Sequence, residues 1–597
     1  MKKLMTGNEA VARGAYEAGV GFASAYPGTP STEILENIGQ HYSDKIICEW
    51  SANEKVALEA AIGASVMGAR SLAAMKHVGV NVAADPMFTF SYTGVTGGML
   101  LVSADDPGQH SSQNEQDNRY YAKSAKMLML EPSDSQEAKD MVRTAVEISE
   151  RFDSPVLFRM TTRVCHSKSV VKLGEVSENP YIPYEKNYPK YGLLFPEALE
   201  MHPRVEERLR LAEEFSNHTE LNYIIDNHSR VGVVAAGVAF QYAREVFGDS
   251  ASYLKIGFSY PLPMDKIWSF AQTVDTLYVI EELEPFMEEQ MRAAGISCIG
   301  KELIPRIGEL NPDILRKSIF GTDPETLDAD LSLVTQRPAT FCAGCPHRGF
   351  FYQLAKKKNV IISSDIGCYG LSGVAPYHAK DFAFCMGSGF ASAHGASRVA
   401  QRYAPDKKIV GVLGDSTFFH SGMTGLVNAV YNKSDALYCI LDNRITGMTG
   451  HQENPGSGKT LSGEGANISD IYEIVKAMGV KNIRMVNPTD LKAMNDTLDW
   501  GIALKELAVI ITRWPCALKK KTQLDVEEFG DKKYKMHVSP NACIGCKACM
   551  RAGCPALIYD VSTKKVSIDA SQCDGCNICA QICPKQAISR EEIGNGK

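Results

Sequence analysis

A chain of 597 residues is too long for one hydrophobic core and predicts several domains. With 44% hydrophobic and 22% charged residues it has the make-up of a soluble globular protein, and its net charge of −7 argues against a nucleic-acid-binding surface. No stretch approaches the ~18 consecutive apolar residues of a membrane span, and the N-terminus MKKLMTGNEAVARGAYEAGV has neither an apolar h-region nor a cleavage site. A cytoplasmic protein is expected.

Alternating strand and helix patterns over residues 1–175 predict an α/β domain with a parallel sheet. NEKVALEAAIGASVMGA is a small-residue helix whose Ala and Gly positions permit close packing, and SLAAMKHV, GGMLLVSADDPG and SPVLFRMTTRV read as buried strands. Over 176–225 the pattern weakens into ENPYIPYEKNYPKYGLLFP and a charged helix, a predicted linker. RVGVVAAGVAFQYAREVF restarts a strand–turn–helix and TLYVIEELE adds a strand, giving a second domain over 226–325. A Pro-containing break at TQRPATFCAGCPHR opens a third α/β region over 326–525, with strands NVIISSDIG, KKIVGVLGDS, ALYCILDN and AVIITRWP. The lysine runs at 356–358 and 519–521 read as solvated helix or loop ends without a function.

In the third region a strand delivers Asp415 at its carboxyl end, where open α/β sheets bind ligands, and a second strand ends at Asp442 and Asn443. Asp415 and Asn443 can therefore meet above adjacent strand ends. A hard carboxylate, an amide oxygen and nearby carbonyls suit Mg²⁺ completed by phosphate oxygens and water. DIGCYG ends another strand, and CMGSGFASAHG places Gly387 and Gly389 before a helix start, where backbone N–H groups can approach a phosphate. CAGCPHR, at 342–348, resembles a zinc knuckle or redox CxxC, but no second pair of ligands follows it.

Of the seventeen cysteines, nine are scattered and read as small buried hydrophobes, while eight crowd into residues 530–597. Grouped cysteines in a reducing compartment are metal ligands more often than disulfides. Cys573, Cys576, Cys579 and Cys583-Pro584 match the spacing of a bacterial ferredoxin half, and Cys543, Cys546, Cys549 and Cys554-Pro555 repeat it with one extra residue before the last. In two-cluster ferredoxins the fourth cysteine serves the other cube. The expected ligand sets are therefore Cys543, Cys546, Cys549 and Cys583 for one [4Fe–4S] cluster, and Cys554, Cys573, Cys576 and Cys579 for the other. The longer gap before Cys554 leaves that second centre open between [4Fe–4S] and [3Fe–4S]. The strand-like ALIYDVSTKKVSIDA between the groups suits a ferredoxin-like domain.

The Asp415–Asn443 pair resembles the Gly-Asp-Gly…Asn motif of thiamine diphosphate enzymes, with Ser416 in place of the second glycine. That resemblance implies that Asp415, Asn443 and the carbonyl of Ile445 bind Mg²⁺. The ordered set GNEAVARGAYEAGV and AYPGTPSTE, then YPLPMDKI and VIEELE, then CAGCPHR, DIGCYG, GDSTFFHSG and LDNRITGMTG, then the ferredoxin segment, is similar over essentially the whole chain to the 2-oxoacid:ferredoxin oxidoreductases. Within these it is most similar to the large subunits that act on indolepyruvate. The resemblance implies a pyrimidine-binding domain over 1–175, a transketolase C-terminal-like domain over 226–325, a diphosphate- and Mg²⁺-binding domain over 326–525 and a two-cluster ferredoxin domain over 530–597. It implies that His347, Gly367, Cys368, Gly387, Ser388, Gly414, Asp415, Ser416 and Asn443 hold the cofactor. Glu54 would be the acid facing N1′ of the aminopyrimidine, where a hydrogen bond favours the imino tautomer that deprotonates the thiazolium. Thr29 matches a threonine that touches the 2-oxo acid, and His77 and His110 are further candidates for the substrate pocket. No arginine around DDPGQHSS matches the one that holds the carboxylate in pyruvate-specific relatives, which disfavours pyruvate and fits a bulkier arylpyruvate. The implied reaction is oxidative decarboxylation to an aryl-acetyl-CoA, with coenzyme A as co-substrate, a smaller beta subunit in an α2β2 assembly, and ferredoxin as the electron acceptor.

Overall fold

The computed structural model describes every residue except 179, 194, 327, 328, 336, 337, 532 and 594–597. The chain divides into two compact units, Met1–Ala329 and Asp330–Lys597. Among the described residues no helix is long and apolar enough to cross a membrane.

The first unit is built on a seven-stranded sheet ordered Phe258–Tyr260, Leu128–Leu130, Val156–Thr161, Met99–Asp105, Ser71–Lys76, Phe22–Ala25, Ile47–Trp50. All neighbours run parallel except the edge strand Phe258–Tyr260. Its three central strands are buried along their whole length, as a parallel sheet covered by helices on both faces requires. This is why SLAAMK, MLLVSAD and VLFRMT read as apolar runs rather than alternating patterns. A four-stranded sheet follows, ordered Thr276–Ile280, Val231–Ala236, Ser252–Ile256, Tyr223–Ile225, with the last strand antiparallel. The segment expected to be a linker carries the 24-residue helix Phe195–His218. Its Met201, Val205 and Ala212 are buried, and Arg208 donates to the Ser91 carbonyl at 2.6 Å.

Within this unit a buried ion network joins the end of Met99–Asp105 to the segment after Thr276–Ile280. Arg119, 1% exposed, holds Asp117 at 2.5 Å and Glu281 at 2.6 Å, and donates to the carbonyls of Glu282 and Glu284. Arg159 holds Asp105 at 2.7 Å and Glu131 at 2.6 Å. Removing one member leaves its partners charged and dry. Arg119→Ala is expected to destabilise the first unit by about 3–5 kcal/mol, read as a lowered urea midpoint. An unchanged midpoint would show that the network carries no stability.

The second unit contains a five-stranded parallel sheet ordered Val360–Ser363, Lys408–Gly414, Leu437–Asp442, Ala508–Arg513, Asn482–Val486. The cysteine-rich segment adds two antiparallel pairs. Tyr534–Val538 pairs with Ile588–Glu592 and draws the two ends of the segment together, while Leu557–Asp560 and Lys565–Ile568 form a hairpin. One lysine run departs from expectation: the Lys519 side chain, 4% exposed, pairs at 2.8 Å with Asp525, which also accepts from the N–H of Thr522, the cap of the helix Gln523–Phe529. A run of three lysines does not reveal which of them a later turn will cover.

Candidate active site

Asp415 follows Lys408–Gly414 and Asn443 follows the adjacent parallel strand Leu437–Asp442. The N–H of Ile445 points between them, 3.1 Å from Asp415 Oδ2 and 3.3 Å from Asn443 Oδ1. Thr446 donates to the Ser416 hydroxyl at 2.9 Å, so both ends of the motif are tied together. Asp415 is buried, and burial, reinforced by Asp442 nearby, pushes its carboxyl up to about 7. Asp442 has its own counter-ion, Arg513 at 2.7 Å, so the pair is not equivalent. A desolvated carboxylate, an amide oxygen and a backbone turn gathered at the strand ends match the hard-oxygen donor set of Mg²⁺. Sequence reasoning missed Asn454. Its Nδ2 donates to Asp415 Oδ2 at 3.0 Å while Gly456 N–H donates to its Oδ1 at 2.9 Å, fixing the amide. It lies on an irregular loop 39 residues beyond Asp415, with no periodicity to mark it.

The helix Ser388–Tyr403 begins where expected, with Gly387 at φ +87°. Its first amides are not free for a phosphate, however. Gly387 N–H and Gly389 N–H donate to Asp365 at 3.0 and 2.6 Å, and Ser388 exchanges hydrogen bonds with Cys385. Asp365, pushed up to about 7 by burial, therefore caps this helix, as a carboxylate at a helix N-terminus should. The glycines at 367 and 414 flank the ring of Tyr369: a Cβ there would stand 2.5 and 2.7 Å from it. The Tyr369 hydroxyl meets the Ile366 carbonyl and Thr417, both at 2.8 Å. His347 is buried edge-on to Tyr369, and burial lowers its pKa to about 4, so its imidazole is neutral.

In the first unit the predicted residues stand at the carboxyl ends of the parallel strands. Asn53 caps the helix Glu54–Val66 through Val56 N–H at 2.9 Å, leaving Glu54 in the first turn and buried. Glu54 lies against Gly79 of the helix His77–Thr93, where a Cβ would stand 2.7 Å from its Cγ and 2.8 Å from Oε1. Gly79→Ala is expected to displace this carboxylate and cut activity about 10²-fold, since misplacement by an ångström costs that much, while the thermal midpoint changes little. Full activity would show that the Glu54–Gly79 contact is dispensable. Thr29 is tied to the loop after Met99–Asp105, because Ser111 Oγ donates to its carbonyl at 3.3 Å. Lys76, a second residue that sequence reasoning passed over, donates to the Ser111 carbonyl at 2.7 Å, and burial lowers its pKa to about 8. Its neighbour His77 is fully buried, with its pKa lowered by burial. His110 is instead half-exposed and paired with Glu309 at 3.0 Å.

Two of the nine scattered cysteines, Cys368 and Cys516, border the Asp415–Asn443 motif. Cys516 N–H donates to the Asn443 carbonyl at 3.0 Å, and a Cβ on Gly447 would stand 3.8 Å from Asn443 Nδ2 and 3.9 Å from Cys368 Sγ. Burial pushes the Cys368 thiol up to about 11, and Cys516 Sγ lies 3.7 Å from His451 Nε2. Among the described residues no three His, Cys, Asp or Glu side chains converge tightly enough for a single metal ion. The other eight cysteines line two cavities. One has Cys543, Cys546, Cys549 and Cys583 in its wall. The other has Cys554, Cys573, Cys576 and Cys579. The fourth cysteine of each run stands with the first three of the other.

Residues 13–229 match the family described as pyruvate flavodoxin/ferredoxin oxidoreductase, thiamine diphosphate-binding; residues 365–512 match the thiamine pyrophosphate enzyme C-terminal binding domain; and residues 535–591 match the 4Fe-4S dicluster domain. The chain is 38% identical over 616 residues to indolepyruvate oxidoreductase subunit IorA of Archaeoglobus fulgidus, covering 98% of this chain and 97% of that one. It is 37% identical over 635 residues to the same subunit of Pyrococcus horikoshii, covering 99% and 97%. A more distant relative, 2-oxoglutarate synthase subunit KorA of Methanothermobacter thermautotrophicus, is 26% identical over 51% of this chain and 94% of its own. With such identity sustained from end to end, and with the thiamine and iron–sulfur domains in order, the chain belongs to the indolepyruvate oxidoreductase subunit IorA family.

Proposed function

We propose that the chain is the large subunit of a cytoplasmic enzyme that oxidatively decarboxylates arylpyruvates, indolepyruvate and similar acids, to aryl-acetyl-CoA, with ferredoxin as electron acceptor and a smaller beta subunit in an α2β2 assembly. The observation that carries this reading is the presence, in one compact unit, of the Asp415–Asn443–Ile445 group and of two separate four-cysteine cavities. Thiamine diphosphate, when bound, supplies the carbanion chemistry.

The chain's own residues do the rest. Asp415, Asn443 and the Ile445 carbonyl offer Mg²⁺ three oxygens and so clamp the diphosphate. Asn454 keeps Asp415 oriented, and Arg513 keeps the Asp442 charge from competing. Glu54 holds the proton at N1′ of the aminopyrimidine. Thr29 and His77 orient the substrate, and His110, held by Glu309, stands at the rim. Cys543, Cys546, Cys549 and Cys583 hold one iron–sulfur cluster, and Cys554, Cys573, Cys576 and Cys579 hold the other. Cys368 and Cys516 border the metal-binding group on the Asn443 side. Thiamine and iron per chain, and anaerobic turnover of the chain with its beta subunit on a panel of 2-oxo acids with coenzyme A, test the reading. Arylpyruvates are expected to be preferred; absence of bound thiamine after reconstitution would overturn the function, and preference for another bulky 2-oxo acid would overturn the substrate.

A further inference from the structure

The two four-cysteine cavities differ in what surrounds them. The one with Cys554, Cys573, Cys576 and Cys579 is closed on one side by Gly344 and Arg348, from the CAGCPHR turn outside the ferredoxin segment. The docking there is tight. Arg348, 1% exposed, donates to the Ala552 carbonyl at 2.6 Å, and the Tyr377 hydroxyl donates to the same carbonyl at 2.5 Å. A Cβ on Gly344 would stand 2.4 Å from Asp574 Cβ. Gln581 exchanges hydrogen bonds with Thr489 and Leu491 at 2.8 and 2.9 Å. This cavity is therefore the inner one, facing the domain that carries Asp415.

The cavity with Cys543, Cys546, Cys549 and Cys583 is walled entirely by residues of the ferredoxin segment. Ile544, between two of its cysteines, is 59% exposed, and Cys546, Lys547 and Lys585 are exposed beside it. Two more lysines stand close. Lys565 Nζ donates to the Cys543 carbonyl, and the Lys564 carbonyl lies 2.0 Å from where a Cβ on Gly545 would be. Over residues 535–591 there are seven lysines and arginines against four acidic residues, although the chain as a whole carries −7. Two of those seven, Lys547 and Lys585, line this cavity, and Lys564 and Lys565 are held against its wall. A solvent-facing apolar residue ringed by lysines, on an otherwise acidic protein, is a surface complementary to an acidic partner.

We propose that electrons leave the chain through the outer, Cys543/Cys546/Cys549/Cys583 centre, and that the lysine-ringed face around Ile544 docks a small acidic one-electron carrier protein of the ferredoxin class. The inference rests on the function proposed above. The overall step is R–CO–COO⁻ + CoA–SH → R–CO–S–CoA + CO₂ + H⁺ + 2e⁻. The carbon–carbon bond to the carboxylate breaks and the thioester bond forms. Two carrier molecules each take one electron, in two successive encounters at the same face. Short encounters suit lysines on a rim, which raise the association rate and are screened by salt.

The test compares Lys547→Glu, Lys585→Glu and the double variant with the unmodified chain, each assembled with its beta subunit and checked for iron content. Acceptors are an acidic two-[4Fe–4S] ferredoxin and the cationic dye methyl viologen. Lys481→Glu, at the amino end of the strand Asn482–Val486, is the control. The ratio of ferredoxin-dependent to viologen-dependent rate is expected to fall about tenfold in the double variant, within the range of electrostatic steering, and to become nearly independent of ionic strength. Lys547→Gln and Lys585→Gln, which remove charge without reversing it, should give intermediate ratios and serve if the glutamate variants lose iron. A ratio equal to that of the control, or an unaltered salt dependence, would overturn the proposal. If no 2-oxo acid supports turnover the proposed function fails instead. The exit face is then read by photoreducing the chain and following electron transfer to oxidised ferredoxin, where the same variants must again be slow.

Discussion

Asp415→Asn yields a chain that folds, binds thiamine diphosphate at least ~10²-fold more weakly, and shows no turnover at ordinary cofactor concentration. Loss of groups that merely support a metal ligand costs 10–100-fold in metal affinity, and Asp415 is proposed as a ligand itself. The substitution is nearly isosteric, and its amide oxygen can still accept the Ile445 and Asn454 hydrogen bonds. What disappears is the charge. Because burial and Asp442 both disfavour that charge, the cofactor-free variant is expected to melt higher than the cofactor-free parent. The cofactor should raise the melting temperature of the parent and leave the variant unmoved. A variant that binds thiamine as tightly as the parent would remove Asp415 from the metal site.

Glu54→Gln has the second large effect and the opposite signature. The carboxylate is buried in the first turn of its helix and wedged against Gly79, so an amide of the same shape fits. Thiamine content is expected to be retained, while kcat falls by roughly 10²–10⁴, the range of a general acid–base group, with little change in KM for the 2-oxo acid. Together the two variants separate holding the cofactor from activating it. Should Glu54→Gln lose thiamine rather than turnover, its role would be structural.

The strands at Ser71–Lys76, Met99–Asp105, Lys408–Gly414 and Leu437–Asp442 were legible because a strand covered on both faces must be apolar throughout. The meeting of Asp415 with Asn443 followed from the same fact, since adjacent parallel strands end at one edge. What stayed hidden was every contact made across long stretches of irregular chain. Asp365 occupies the amides of Gly387 and Gly389, and no local pattern tells a capping aspartate from a strand-end aspartate. Cys516 reaches the Asn443 carbonyl from far along the chain. Lys519 finds Asp525 only because a capped helix folds back on it. The extra residue before Cys554 looked like a fault in a ligand motif. In the fold, that stretch supplies the Ala552 carbonyl that anchors the segment to Arg348 and Tyr377.

The crossed arrangement of the eight cysteines has a consequence for biosynthesis. A chain grows from its amino end, and the wall that starts with Cys543 lacks its last member until Cys583 has been made. The wall that starts with Cys554 is complete slightly earlier, at Cys579. Neither can be finished while the ribosome is still adding the α/β domains that precede them. On the proposed function, iron loading of these two cavities is thus a late event, performed on a chain whose upstream sheets have already been made. The inner centre becomes complete first, and Arg348 is already there to receive it.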